Sequence, residues 1–424
     1  MVDRAPEGVS FPLAERPRLR PVDAFRTRHQ GQRGLVMRDP SDRDLAPLFI
    51  SDEAVVVLDL LDGRRTIPDV ARALSLRGAP MSESHVRNLL NRVDEAGYLD
   101  GPRAQHRLGH RTAAFKALPL RAAIHAGGAY PDGPDLPAFL ARGYLDADGP
   151  GALPAESPPD PQPLRAIIAP HVDLHRGAPT YSWAYRALAE AGPADLYVVL
   201  GTCHTPVVGH FAATAKPYDT PLGIVPTDTD FLERLQHDFG SDLYAGEFSH
   251  AAEHSIEFQA VYLRSLGLAG QGGAPIVPIL CDSLHSMVPY DRAPSDVPLV
   301  NDFLSALRQT VAADGRTITF IAAVDLAHVG PRFGDDWSVD RQRQEQVGRG
   351  DREMLDLVIA PDADAYYDQV MRDRDARRIC GLTPIYLLTA LMQEEQRQGQ
   401  VLRYTQWVDT DLSSSVTFVS AIFR

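Results

Sequence analysis

The chain has 424 residues, of which 44% are hydrophobic and 23% charged, so it can bury a substantial core and form more than one domain. A net charge of −14 and a pI near 5.4 argue against binding to nucleic acid, because phosphate contacts need clustered Lys and Arg, and they disfavour docking on a membrane. The sequence shows neither a signal-peptide pattern nor an apolar stretch long enough to span a bilayer, so we expect a cytoplasmic protein.

The N-terminal part of the chain has the pattern of a small helical unit. Ser51 can cap a first helix, and Thr66 begins a second one at a variant of the capping box. Ser82 or Ser84 precedes a third segment with apolar residues at helical spacing, and Gly97 stands where such a helix would end. Short apolar runs at 35–37 and 98–99 predict strand pieces beside these helices.

Residues 30–105 resemble the PqqD-like winged-helix domains that grip leader peptides in peptide-modifying systems. The resemblance rests on the order of the predicted helices and on the closing segment Gly97-Tyr98-Leu99-Asp100. A DNA-binding winged helix and a plain packing module are the alternatives, since many winged helices end in a similar way. Two arginines of the last helix, Arg87 and Arg92, are balanced by three carboxylates, which argues against DNA. We therefore predict a unit that contacts protein.

The composition divides the chain into four segments. Residues 1–29 are predicted to be an N-terminal extension, 30–105 the winged-helix-like domain, 106–116 a linker, and 117–424 a larger α/β domain. A stretch rich in Pro, Gly and Asp at 146–164 is expected to be a surface loop inside the larger domain.

From Arg165 onward, short apolar runs alternate with helical patterns, which is typical of an α/β fold. Four runs predict buried parallel strands, at 166–169, 196–200, 276–280 and 318–324. Helical patterns occupy 181–191, 230–239, 258–266, 300–313 and 385–392.

Each of the four runs stops at a cluster of polar residues. In chain order these are His171 with Asp173 and His175, Cys203 with His204, Cys281 with Asp282, and Asp325 with His328. Because ligands of open α/β sheets bind outside the carboxyl ends of the strands, one pocket could collect all four clusters. Imidazoles there suit metal binding or proton transfer near neutral pH.

One of these clusters and a further pair, Glu253 with His254, leave alternatives open. In an extended segment, His171, Asp173 and His175 would share one side, but Asp173 could instead cap a helix while His175 faces solvent. Glu253 and His254 precede a helical pattern, so they could serve acid–base chemistry, orient a metal ligand or merely cap the helix.

The cysteines are three and widely spaced, which predicts free thiols or metal ligands rather than disulfides. Cys380 follows Arg377 and Arg378 and precedes an apolar helix, and this environment predicts a stabilised thiolate. A small core residue is its alternative and is the expectation for Cys281. The charge of Asp325, after the most apolar run, must be paired, hydrogen-bonded or bound to a metal.

Together these residues resemble the Memo-like family, whose bacterial members are the B component of the AmmeMemoRadiSam system. The resemblance spans about residues 117–424, where the family's segments occur in order and at similar spacing: His125 with Tyr130, Ala169-Pro170-His171, Gly201-Thr202-Cys203-His204, Tyr218-Asp219-Thr220-Pro221, Glu253-His254-Ser255-Ile256-Glu257, Asp325-Leu326-Ala327-His328, Ile379-Cys380-Gly381 and Ser414-Ser415-Val416.

The resemblance implies a sheet with helices on both faces, similar to the class III extradiol dioxygenases of the LigB type. It implies a copper or iron ion, with zinc less expected, at His171, His204 and Cys380. His328, Asp325, His254 and Glu253 are the implied catalytic residues around the metal. This sequence departs from the common pattern after its first histidine, where Asp173 and His175 add two candidate ligands, and Thr205 and Thr383 stand where some relatives have histidine.

The function that follows is metal-dependent redox or dioxygenase-like chemistry, with a radical-SAM protein and a peptide or protein substrate as implied partners. A non-enzymatic adaptor, binding a peptide or protein in a vestigial cleft, is the alternative, and a zinc hydrolase is a third reading.

Overall fold

The computed structural model describes residues 11–424 except 40, 41, 43, 157, 159, 290, 291 and 410–412. The chain divides into two compact units, one ending at Leu118 and the other beginning at Pro119. The first ten residues of the predicted N-terminal extension lie outside the described part.

Where the structure describes it, the N-terminal unit combines short strands with four helices. Its elements are β1 (Arg18–Leu19), β2 (Asp23–His29), β3 (Gln32–Arg38), β4 (Leu48–Ser51), α1 (Asp52–Leu58), α2 (Ile67–Leu76), α3 (Glu83–Glu95), β5 (Leu99–Asp100) and α4 (Pro102–Ala117). Strands β2, β3 and β4 form an antiparallel sheet in that order, and β1 pairs with β5.

Local sequence explains where these helices begin. Thr66 and Asp69 form the predicted capping box, in which each side chain accepts a hydrogen bond from the other residue's backbone N–H. Ser82 rather than Ser84 caps α3. Helix α1 begins after Ser51, although the Ser51 side chain makes no capping bond. The apolar faces of the helices pack into one core.

Two predictions about this unit are wrong. The predicted N-terminal extension includes β2, which pairs with β3 along its whole length. The predicted linker at 106–116 lies inside α4. Its polar composition is typical of a linker, but hydrogen bonds from Arg107 to Asp42 hold this helix against the rest of the unit. The Nε atom of Arg107 lies 2.6 Å from Oδ2 of Asp42, whose side chain is 2% exposed.

The second unit alternates strands and helices as predicted. Its elements are α5 (Leu136–Leu145), β6 (Ala166–Ala169), α6 (Leu174–Ala191), β7 (Leu196–Thr202), β8 (Phe211–Ala213), α7 (Thr229–Phe239), α8 (Ser255–Ser265), β9 (Ile276–Cys281), α9 (Leu284–Met287), α10 (Pro298–Asp314), β10 (Ile318–Ala323), β11 (His328–Val329), α11 (Arg341–Ile359), α12 (Ala363–Met371), α13 (Leu382–Glu394), β12 (Gly399–Asp409) and β13 (Ser414–Phe423). Between α5 and β6 the described residues form neither helix nor strand.

One mixed sheet organises this unit. Its strand order is β11-β13-β6-β10-β7-β9-β8, and β12 pairs with β13 outside that path. The four strands predicted from apolar runs, β6, β10, β7 and β9, are mutually parallel, and the others run antiparallel to their neighbours.

Alternate residues of the parallel strands enter two different hydrophobic cores. Ile168 and Val198 belong to a core built with α7, α10, α11, α12 and α13. Ile167 and Val199 belong to a core built with α5, α6 and α8. Because successive strand side chains point to opposite faces, this division places helices on both faces of the sheet. In the described residues, none of the helices is long and apolar enough to cross a membrane.

The strand register brings the four carboxyl ends level. Ala323 of β10 pairs with Ala169 of β6 and with Gly201 of β7, and Gly201 pairs with Leu280 of β9. The polar clusters that follow these strands therefore start from the same edge of the sheet.

Candidate metal centre

His171 follows β6 and is almost completely buried, with 1% of its surface exposed. Its Nδ1 lies 3.0 Å from the carbonyl oxygen of Ala323, so Nδ1 carries the proton and donates it. Burial, reinforced by the nearby His204, lowers the pKa of His171 to about 3. The ring is therefore neutral, and its Nε2 lone pair is available to a ligand.

Cys380 lies directly before α13 and faces this nitrogen. Its Sγ is 3.3 Å from Nε2 of His171 and 3.5 Å from the backbone carbonyl of Asp325. Since Nε2 of His171 carries no proton, the Cys380 thiol is the donor of that bond when it is protonated. Sulfur and nitrogen therefore meet in one pocket.

The predicted thiolate environment of Cys380, with Arg377 and Arg378 as its positive charges, is wrong. Arg377 pairs with Asp351 and Arg378 with Asp335, so both guanidinium groups are engaged elsewhere. Burial raises the pKa of the Cys380 thiol above its ordinary value. Positive charge on His204 lowers the pKa of Cys380 but does not offset burial, so a thiolate at this position needs further positive charge, which a bound metal ion would supply.

His204 follows β7 and is oriented by Glu253. The Nδ1 atom of His204 lies 3.0 Å from Oε2 of Glu253, and the backbone N–H of His204 donates to the same oxygen at 2.9 Å. Burial lowers the pKa of His204, but the Glu253 carboxylate outweighs it and raises the pKa well above its ordinary value. The second nitrogen, Nε2, can bind a metal once it loses the proton that this raised pKa favours, as in carboxylate–histidine–metal arrangements.

Glu253 is saturated with hydrogen bonds. Its carboxylate accepts from the His204 ring and from the backbone N–H groups of His204, His254 and Ser255. Burial raises the pKa of Glu253, but the neighbouring histidines and these bonds hold it well below its ordinary value. We therefore assign Glu253 to the orientation of His204 rather than to metal binding.

Ligand atoms of His171, His204 and Cys380 all lie within 4.8 Å of one another. Ligands at ~2.0–2.3 Å from one tetrahedral ion are separated by roughly 3.5 Å, so this spacing fits a single metal ion. His204, Glu253 and His254 form a second group within the same limit, but the hydrogen bonds to Glu253 favour the first.

Asp325 and His328, the predicted catalytic pair after β10, lie beside these ligands. Asp325 Oδ1 accepts the backbone N–H of His171 at 3.1 Å, and its Oδ2 is 3.7 Å from Nε2 of His171. Burial raises the pKa of Asp325 to about 6. Burial also lowers the pKa of His328, whose Nδ1 donates to the carbonyl of Leu326.

Four imidazoles cluster in the pocket. Ring centroids of His171, His204 and His254 are 4.8 to 5.3 Å apart, and that of His125 lies 5.5 Å from His254. His125 was not predicted as a site residue, since it precedes the strands and no strand end marks it. Its position in a segment shared with the resembling family was the available indication.

Asp173 and His175, the two additional candidate ligands, do not join the group. The chain enters α6 at Leu174, so the extended alternation that would align them with His171 is absent. Asp173 caps α6 and pairs with Arg176, while His175 is exposed and packs on Phe139.

A buried ion pair behind the pocket was missed by the sequence analysis. The side chains of Arg121 and Glu257 are 0% exposed and form a salt bridge, which Tyr130 joins through its hydroxyl. Arg121 also donates to the backbone carbonyls of His250 and Glu253. It thereby fixes the segment that carries Glu253.

Comparison with known proteins agrees with the family resemblance of the sequence. A family model described as Memo-like protein matches residues 121–422. A MEMO1 family protein of Aquifex aeolicus is 26% identical over 391 residues, covering 92% of this chain and 95% of that protein. One from Thermus thermophilus is 26% identical and covers 83% and 97%. One from Methanopyrus kandleri is 27% identical and covers 70% and 97%. The match to the family model leaves out the N-terminal unit, whose PqqD-like character stays a prediction.

Proposed function

The chain belongs to the Memo-like family, and on that premise we propose that it binds a copper or iron ion at His171, His204 and Cys380 for redox chemistry. The observation that carries the proposal is the contact between Cys380 Sγ and the unprotonated Nε2 of His171, with His204 in the same group. A partly buried sulfur facing a neutral imidazole is suited to metal binding.

The donor set favours a soft or borderline metal. One thiolate and two imidazoles suit copper(I) or iron(II), and zinc accepts the same ligands. Hydrogen bonds occupy the carboxylate of Glu253, which disfavours a set of two histidines and one carboxylate. Copper or iron would supply one-electron chemistry at coordination positions that the protein leaves open.

The surrounding residues have separate roles in this proposal. The carbonyl of Ala323 and the carboxylate of Glu253 fix the ring tautomers of His171 and His204. Asp325, with a pKa near 6, holds or releases a proton near neutral pH beside His171. His254 and His328 line the same pocket as neutral imidazoles and extend the set of proton acceptors.

For the N-terminal unit we propose recruitment of a peptide or protein substrate, together with a radical-SAM partner. The support is the resemblance of residues 30–105 to leader-peptide binders and the charge balance of α3. The division of the chain at Leu118 makes this unit separable for a test.

Metal analysis tests the central proposal. Protein purified from metal-replete cells should contain about one copper or iron ion per chain, and apoprotein should bind Cu(I) or Fe(II) with one-to-one stoichiometry. Zn(II) serves as the comparison. X-ray absorption at the metal edge should show one sulfur and two imidazole nitrogens. If the chain purifies without metal and binds none on titration, the redox function is contradicted. The non-enzymatic adaptor then remains as the proposed function.

A further inference from the structure

A second cavity, of about 200 Å³, lies at the end of α8 opposite the candidate metal centre. Glu253 and His254 precede the first turn of this helix, whereas Arg264 stands in its last turn. Ten residues of helix span about 15 Å, so the two sites are distinct. The wall is mostly aliphatic, with Leu140 and Ala141 from α5, Leu222 from a turn, and Leu266 after α8.

Arg264 is the only charged residue among the described residues that line this cavity. Its Nε is buried and makes no hydrogen bond. Three other arginines share an unbonded, buried Nε, yet each is within salt-bridge distance of a carboxylate: Arg234 of Asp314, Arg308 of Glu394 and Arg403 of Asp148. Arg264 pairs with no acidic side chain of the described chain. Its charge therefore lacks the counter-ion that the comparable arginines have.

The fold makes room for the Arg264 side chain. Gly223 and Gly270 have φ values of +115° and +92°, and both lie against it. A Cβ at Gly223 would stand 3.1 Å from Nε of Arg264, and a Cβ at Gly270 would stand 2.7 Å from its Cδ. Larger residues at either position would displace the guanidinium. A cation at the last turn also suits the helix dipole, but that interaction gives its Nε–H no acceptor.

Tyr144 adds a second unsatisfied group to the same wall. It is 3% exposed, and its hydroxyl makes no hydrogen bond within the described chain. Buried polar groups normally have partners, and both of these residues line the cavity, so its wall carries hydrogen-bonding capacity that the described chain leaves unused. Leu153, also in the wall, remains 37% exposed, which leaves apolar surface for a ligand to cover.

We propose that this cavity binds a small aliphatic monocarboxylate, with its carboxylate on Arg264 and its chain against Leu140, Leu222 and Leu266. Guanidinium and carboxylate match in charge and in bidentate geometry, and the aliphatic wall excludes a second charge on the ligand. A volume of about 200 Å³ holds roughly seven water-sized groups of ~30 Å³ each. That size corresponds to an acid with a chain of about six carbons.

Titration of the full-length protein with hexanoate tests the proposal, with 1-hexanol and hexylamine as ligands of the same chain length. We expect hexanoate to bind one site at least tenfold more tightly than either comparison ligand. Arg264→Gln should weaken hexanoate binding at least tenfold. Ala141→Trp, which fills the cavity from an exposed position, should abolish it. Arg341→Gln, at a 93% exposed position, is the matched control and should bind as the wild type does.

Three results would overturn the carboxylate site: no hexanoate binding at millimolar concentration, equal binding of 1-hexanol, or unchanged binding in both cavity variants. Circular dichroism confirms that each variant is folded. The outcome is independent of the metal proposal, because His171→Ala should leave hexanoate binding intact and Arg264→Gln should leave metal binding intact.

Discussion

Nε2 of His171 and Sγ of Cys380 lie 3.3 Å apart although 209 residues separate them in the chain. Asp325 connects the two, because its carboxylate accepts the backbone N–H of His171 and its carbonyl contacts the sulfur of Cys380. The adjacency of β6 and β10 brings these segments together. The candidate metal centre therefore forms because β6 and β10, which are far apart in the chain, are neighbours in the sheet.

Loss of either imidazole should weaken metal binding while the fold persists. We expect His171→Ala and His204→Ala each to lower metal affinity at least tenfold, because each removes a ligand from a strand-end segment rather than from a core. Competition with a chelator measures the affinity, and His175→Ala is the control, since His175 is exposed and outside the group. Unfolding of both variants, with normal metal binding by the folded remainder, would contradict this prediction.

Cys380 should react with a thiol reagent more slowly when metal is bound. The Cys380 sulfur contacts Nε2 of His171, the Asp325 carbonyl and the His204 side chain, and a metal bond would cover it. Mass spectrometry after timed labelling gives the rate at each cysteine. Cys203 and Cys281, both buried, serve as internal controls that should stay slow in both states. Equal Cys380 rates in both states would place its thiol outside the metal's ligands.

Glu253→Gln should reduce metal affinity about 10–100-fold without removing a ligand. The amide loses the negative charge that orients the His204 ring, and its NH2 group cannot accept the hydrogen bonds that Glu253 now receives. Metal competition and X-ray absorption measure the change, and Glu345→Gln on α11 is the surface control. Loss of an oxygen ligand from the spectrum would instead show that Glu253 binds the metal directly.

The parallel core of the sheet could be predicted because its strands are short, wholly apolar runs ending in polar residues, as with Ala166–Ala169 before His171. The β12–β13 pair was not predicted as strands, since β12 is only partly buried and mixes polar with apolar residues. The sequence predicts a linker where α4 lies, because the segment is polar. The hydrogen bond that holds the helix, from Arg107 to Asp42, joins residues far apart in the chain and cannot be seen in local composition.

At the site, the strand ends predict His171 and His204, and the resemblance predicts these two together with Cys380. The structure brings the three side chains close to one another. It could not decide the environment of Cys380, since only the folded chain shows Arg377 and Arg378 paired elsewhere. Composition and spacing name the candidate ligands, whereas hydrogen-bond partners that lie far apart in sequence set their protonation.

Breaking the buried pair behind the pocket should destabilise the second unit. Glu257→Gln leaves the Arg121 guanidinium buried without a carboxylate, which costs about 3–5 kcal/mol. The double variant Arg121→Met with Glu257→Gln should recover part of that loss, because it removes the unpaired charge. Urea unfolding of Glu257→Gln, Arg121→Met and the double variant measures the coupling. Additive losses in the double variant would show that the pair does not act as a unit.

Removal of residues 1–118 should leave the second unit folded and able to bind metal. The chain divides between Leu118 and Pro119, and the Methanopyrus kandleri relative matches 70% of this chain over 97% of its own length. Circular dichroism and metal titration of residues 119–424 test this. If the N-terminal unit recruits a peptide or protein, the truncated chain should lose partners that the full chain captures in a pull-down. Equal capture would contradict the recruitment proposal, and aggregation of the truncated chain would show that the second unit does not fold alone.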